Sequence, residues 1–200
     1  MLLACAAEVA YTTSSADQSE YPISMTLLLV ILIRLLVPLT ILKWHLMGPL
    51  LSIAADASDV VLFDALGGPS YMGGAYHTVD KLFDMYYLSF MLYVSFRWTE
   101  PLEKQTAIIL YGWRLLGIAL FEVTQARQLI FLAPNIFENF YLLVVGVRRS
   151  SPQFRVNNRD KLMVVLLIVG VPKLIQEYFM HYLEFPTWSY IKHTVLGWEQ

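Results

Sequence analysis

The sequence predicts an all-α fold, a polytopic bundle of six transmembrane helices. Composition is the first reason. The 200 residues are 57% hydrophobic and only 15% charged, whereas about a quarter of a soluble domain is charged. Mean hydropathy is +0.54. Distribution is the second reason. The apolar residues fall in blocks of about 20, the length that crosses a hydrocarbon core of about 30 Å. Glycine- and proline-rich breaks separate the blocks.

The first expected span covers 23–43 and is rich in Leu and Ile; residues 44–49 form a tight connection. The second span runs on to Leu66, where Gly67, Gly68 and Pro69, then Gly73 and Gly74, break the chain. The third covers 79–97, the fourth 104–124, and the fifth 128–147 with Pro134 near its start. A polar loop, 148–161, leads to the sixth, 161–184. Residues 1–22 read as a polar, mobile N-terminal tail and 23–185 as the six-span domain. Residues 186–200 read as a short interfacial tail, where Trp188, Tyr190 and Trp198 suit the membrane boundary. The first 24 residues carry Glu8, Asp17 and Glu20 but no Lys or Arg, so they lack the basic start of a secretory signal.

Charge and cysteine content exclude several function classes. A net charge of −2 gives no nucleic-acid footprint. Cys5 is the single cysteine, so there is no intrachain disulfide and no cysteine-based metal site. No Lys-Ser/Thr follows the glycine pairs, so they are not a phosphate loop. Tyr86, Tyr87, Phe90 and Tyr93 read as packing side chains.

Basic residues orient the chain. Arg148, Arg149, Arg155, Arg159 and Lys161 cluster in one loop, which the positive-inside rule places in the cytoplasm. With six spans, Lys43, Arg97 and Lys104 fall on that same side, against Lys81, Arg127 and Lys192 on the other. The expected location is a plasma membrane of the bacterial type. Membrane lipid and a second copy of the chain are the expected partners.

Ionisable residues inside spans are costly, at least about 2.5–3.5 kcal/mol each, so they need partners or work. Lys173, Glu177 and His181 recur every four residues and lie within an arc of about 80° on the sixth helix. That buried polar stripe is either a Lys–Glu pair neutralised against a neighbouring helix or a proton path ending in a histidine. Arg114, Glu122 and Gln125 share a face of the fourth span, as do Asn135, Glu138 and Asn139 of the fifth. Arg34 and Arg114 read as counter-ions for carboxylates, and a bidentate arginine is also a good phosphate clamp.

The acids are the most informative residues. Asp56 and Asp59 are spaced i, i+3 in the second span; Asp80 and Asp84 are spaced i, i+4 at the start of the third. A connection of about a dozen residues makes the two helices antiparallel neighbours, so the pairs can face each other. Carboxylates gathered this closely repel, and a hard divalent cation with oxygen ligands removes the repulsion. No His-x-x-x-His pattern competes for zinc.

Asp-x-x-Asp late in a second span, then Asp-x-x-x-Asp opening a third, in six spans over 200 residues, resembles the CDP-alcohol phosphotransferase superfamily. The resemblance implies a membrane enzyme of phospholipid metabolism that joins a CDP-linked donor to an alcohol and releases CMP. It implies Mg²⁺ or Mn²⁺ held by Asp56, Asp59, Asp80 and Asp84, with Asp84 the catalytic base. Arg34 and Arg114 are the residues expected to contact phosphate. The family's glycine after the second aspartate is Val60 here, its Ala-Arg is Phe63 and Asp64, and its glycine before the third aspartate is Tyr76. A proton- or ion-coupled transporter using Glu122, Glu138, Glu177 and His181, and a non-catalytic subunit of a membrane complex, remain open on the sequence.

Overall fold

The computed structural model describes residues 25–66, 73–125 and 128–179, without the side chains of 25–26, 60–66, 73–78, 128 and 130. His181, the tail residues and the end of the sixth expected span lie outside the described residues. Among the described residues every regular element is a helix.

Helix α1, Met25–Leu36, passes directly into a 3₁₀ segment, Val37–Leu42. The first expected span is therefore two kinds of helix. Pro38 is the cause: it has no N–H to donate, and its ring crowds the carbonyl of Arg34. Two side chains take up carbonyls released there: Tyr86 donates to the Leu35 carbonyl at 3.2 Å and Thr40 to that of Val37 at 2.7 Å. The chain reverses and α2, Met47–Leu66, folds back against the 3₁₀ segment. Gly48 permits that approach. A Cβ there would sit 2.5 Å from the Ile41 Cα and 2.6 Å from its nitrogen. Both obstacles are backbone, so Gly48→Ala is expected to destabilise the protein by about 1–3 kcal/mol. A thermal melt in detergent that matches the parent would refute this.

Helix α3, Gly73–Ser95, starts before the expected 79. Helix α4, Pro101–Thr124, opens with proline in its first turn, where no N–H is missed, and ends at Gln125 in the left-handed region, φ 56°. The fifth expected span is broken. Helix α5, Gln128–Leu132, stops before Pro134, and α6, Ile136–Ser150, begins after it. Residues before proline avoid the helical region, and Asn135 caps the new helix by accepting from the Glu138 N–H at 3.4 Å. Asn135 is thus a cap and not a residue of a helical face. The carbonyls at the end of α5 are satisfied from α4: Trp113 Nε1 donates to Leu132 at 3.0 Å and Arg114 Nη1 to Ala133 at 2.9 Å. Gly117 makes that closeness possible, since a Cβ there would collide with that of Ala133. Helix α7, Arg159–Glu177, is capped by Asn158 and contains Pro172.

The three basic connections meet at one end. Arg148 pairs with the fully buried Glu103, whose other oxygen accepts from the Val156 N–H at 2.7 Å. The Arg148 guanidinium lies 5.4 Å from the Trp98 ring centre, and Trp98 stacks on Tyr141 at 5.6 Å. Tyr141 donates to the His45 carbonyl at 3.1 Å. Apolar packing around Ile41, Leu88, Met91, Phe137, Phe140 and Val144 fills the middle.

Beside the apolar core, some charged side chains are buried and many large apolar ones are exposed. Arg34, Asp59, Glu103 and Arg114 are buried, whereas Leu28, Leu32, Leu36, Ile109, Leu116, Val123, Leu167 and Ile168 are exposed. Among the described helices, α4 is long and apolar enough to cross a membrane, with a mean hydropathy of 1.5 over its most apolar stretch. Helices α2, α3 and α7 have the length, but Asp56, Asp59 and Asp64, then Asp80, Lys81 and Asp84, then Arg159, Asp160, Lys161 and Lys173 interrupt their apolar runs.

Candidate metal centre

Arg34 near the end of α1, Asp56 and Asp59 of α2, and Asp80 and Asp84 of α3 converge on one point. Arg34 Nη1 donates to Asp59 Oδ2 at 3.0 Å and to Asp80 Oδ1 at 2.6 Å. Nη2 donates to Asp56 and, at 3.3 Å, to Asp84 Oδ1. The guanidinium also lies over Phe83, 5.2 Å from the ring centre. One positive charge thus faces four carboxylates. Arg34 is 5% exposed and Asp59 2%, whereas Asp56 and Asp80 are 38% and 32% exposed, so the back of the cluster is dry and its front is open to the cavity.

The four acids are not equivalent. Asp56, Asp80 and Asp84 each present an oxygen within 4.8 Å of the other two. Asp59 sits behind them, with Oδ1 buried and lacking a hydrogen-bond partner among the described residues. Three hard oxygen donors at this spacing fit Mg²⁺ or Mn²⁺ better than a softer ion. Asp59 belongs to the layer that holds Arg34.

Asp56, Asp80 and Asp84 form one wall of a cavity of about 400 Å³. Lys81, Arg114 and Lys173 bring cations to the same cavity. Arg34 lies outside it, behind the acids. Arg114 is not bonded to any of the four aspartates; it spends Nη1 on Ala133, and its Nε is buried without a partner among the described residues. Lys173 donates to Gln176 at 3.2 Å and pairs with Glu177 at 3.6 Å, and all three line the cavity. The polar stripe of α7 and the aspartates of α2 and α3, on distant parts of the chain, therefore share one chamber.

Tyr87 went unnoticed as a site residue in the sequence. It is 5% exposed, lines the cavity and donates to Glu138, whose Oε2 also accepts from Asn135 Nδ2 at 2.7 Å. Its signal was present: Asp80, Asp84 and Tyr87 are spaced i, i+4, i+7 and share one helical face. Glu138, at the start of α6, enters the chamber because the break at Pro134 turns that helix end inward.

Comparison with protein-family models, curated proteins and solved structures gives no match to this chain.

Proposed function

We propose that the chain is an integral membrane protein of six helical spans, and that its polar chamber is the metal-dependent site of a divergent CDP-alcohol phosphotransferase-like enzyme. The extensive exposed apolar surface supports the membrane half of the proposal: Leu, Ile and Val side chains facing outward over several helices are stable where hydrocarbon is the solvent. The short helices α5 and α6 then form one broken span. The end that gathers Lys43, Arg97 and the 148–161 loop is the cytoplasmic one by its charge. The aspartates lie about 20 Å from it along α2 and α3, nearer the opposite face, so the charge bias opposes a donor supplied from the cytoplasm.

One observation carries the catalytic half: three carboxylates within 4.8 Å of one another face the same cavity as Lys81, Arg114 and Lys173. Carboxylates alone repel a phosphate, and ammonium groups alone do not hold Mg²⁺. A metal-bridged phosphate ester needs both. Bound there, a divalent ion would supply Lewis-acid stabilisation of phosphoryl oxygens. Asp56, Asp80 and Asp84 hold it, Arg34 balances the acids from behind, and Lys81 and Arg114 meet the remaining phosphate oxygens, Lys173 being paired with Glu177. Asp84 accepts the proton of an acceptor hydroxyl as that oxygen bonds to phosphorus and the bond to the CMP leaving group breaks. Val60, Phe63 and Asp64, which replace the family's Gly and Ala-Arg, make the identity of the donor the part most in need of test.

Purified protein in detergent is expected to bind Mn²⁺, detected by electron paramagnetic resonance. An Asp80→Asn/Asp84→Asn variant that elutes like the parent is expected not to. Binding that is equal in both proteins, or absent from both, overturns the proposal. Where binding is lost in the variant, CMP release from a CDP-linked lipid donor tests the transfer itself.

A second reading has its own observation. The broken span α5–α6 places Asn135 and Glu138 in the chamber beside Lys173 and Glu177, and discontinuous helices line the ion sites of many transporters. Proton- or ion-driven flux into liposomes without CMP release would select that reading.

A further inference from the structure

A second cavity, of about 580 Å³, lies between α6 and α7 at the basic end of the molecule. Its two halves differ in chemistry. Leu143 and Val147 of α6 and Val164 and Ile168 of α7 form an apolar wall, while Arg155 and Lys161 stand at its mouth. The apolar wall continues onto the outward face of α7, where Met163, Val164, Leu167, Ile168 and Val171 are all exposed.

The cations are available. Arg155 donates Nη1 to the Pro152 and Phe154 carbonyls at 2.7 Å each, which holds the guanidinium at the mouth without neutralising it. Lys161 donates to Asn157 at 3.3 Å. Neither is in an ion pair among the described residues. Asp160 also lines the mouth, so its two cations and one carboxylate leave the local balance positive.

A soluble anion would match the mouth and leave the apolar wall uncovered. A neutral lipid would match the wall and leave the cations uncompensated. We infer that this groove binds one anionic phospholipid, its headgroup phosphate on Arg155 and Lys161 and an acyl chain along Val147, Val164 and Ile168. The inference rests on the membrane reading above but not on the catalytic one. It fits the general preference of basic pockets at cytoplasmic helix ends for acidic headgroups.

Native mass spectrometry of the detergent-solubilised chain, titrated with phosphatidylglycerol or phosphatidylcholine, tests it. The expected result is a single tightly held phosphatidylglycerol, retained in preference to phosphatidylcholine. Arg155→Gln and Lys161→Gln are each expected to weaken it about fivefold. Lys161→Gln keeps the backbone bond to Asn158, so it guards against a result caused by unfolding of the loop. Ile168→Trp, which fills the wall with both cations intact, is expected to expel the lipid. Equal retention of both lipids, or unchanged retention in all three variants, overturns the inference. Displacement by glycerol phosphate alone also overturns it, because the site would then be one for a soluble anion. A chain that stays dispersed without detergent overturns the membrane reading itself.

Discussion

Arg34→Leu is expected to abolish accumulation of folded protein. The substitution leaves Asp56, Asp59, Asp80 and Asp84 facing one another without their guanidinium. Breaking a buried ion pair from one side costs about 3–5 kcal/mol, and here one residue serves four acids. Arg34→Lys is expected to recover little, because a single ammonium cannot reproduce the fork that spans the two helices. Removing charge from both sides gives the diagnostic comparison. Arg34→Leu/Asp59→Asn deletes the guanidinium together with the acid that is 2% exposed and outside the metal triad. It is expected to be more stable than Arg34→Leu alone, and added Mn²⁺ should raise its melting temperature more than the parent's. Size-exclusion profiles and thermal melts read both effects. An Arg34→Leu protein as stable as the parent would show that the four acids are protonated or held by something else.

This convergence was partly legible in the sequence, for a physical reason. Charges inside apolar spans must be paired, and spacings of three and four residues bring side chains to one helical face, so Asp56 with Asp59 and Asp80 with Asp84 were readable as pairs. That Arg34 would serve all four depends on where α1 ends, and Pro38 sets that. Arg114 faces the same chamber as the acids without bonding to them. It donates instead to the Ala133 carbonyl just beyond α5, an end that exists only because Pro134 and Asn135 break an apolar run that hydropathy alone reads as continuous. The order of the acids, with Asp59 behind and the other three in front, is a rotation of α2 against α3. Periodicity does not carry the relative rotation of two helices. Tyr87 was hidden by its class, since aromatic residues in spans mostly pack, although its place one turn beyond Asp84 was visible.

Asp84→Asn is expected to lower kcat for CMP release by about 10²–10⁴-fold, the usual contribution of a general base. Among the four acids Asp84 combines cavity access with the longest bond to Arg34, 3.3 Å against 2.6 Å for Asp80. It is therefore the carboxylate least committed to the guanidinium and the best placed to take a proton. Loss of activity alone would not separate this role from metal binding, since Asp84 is also in the triad. Asp56→Asn makes the distinction. Asp56 is a triad member bonded to Arg34, and its role in the proposal is to hold the ion only. Raising Mn²⁺ to saturation should restore much of the activity of Asp56→Asn, because a weakened ligand set can be filled by mass action. It should restore little in Asp84→Asn, because no concentration of metal replaces a missing proton acceptor. If both variants recover together, Asp84 is a ligand and the base must be sought elsewhere on the chamber wall, where Glu138, held by Tyr87 and Asn135, is the next carboxylate in reach.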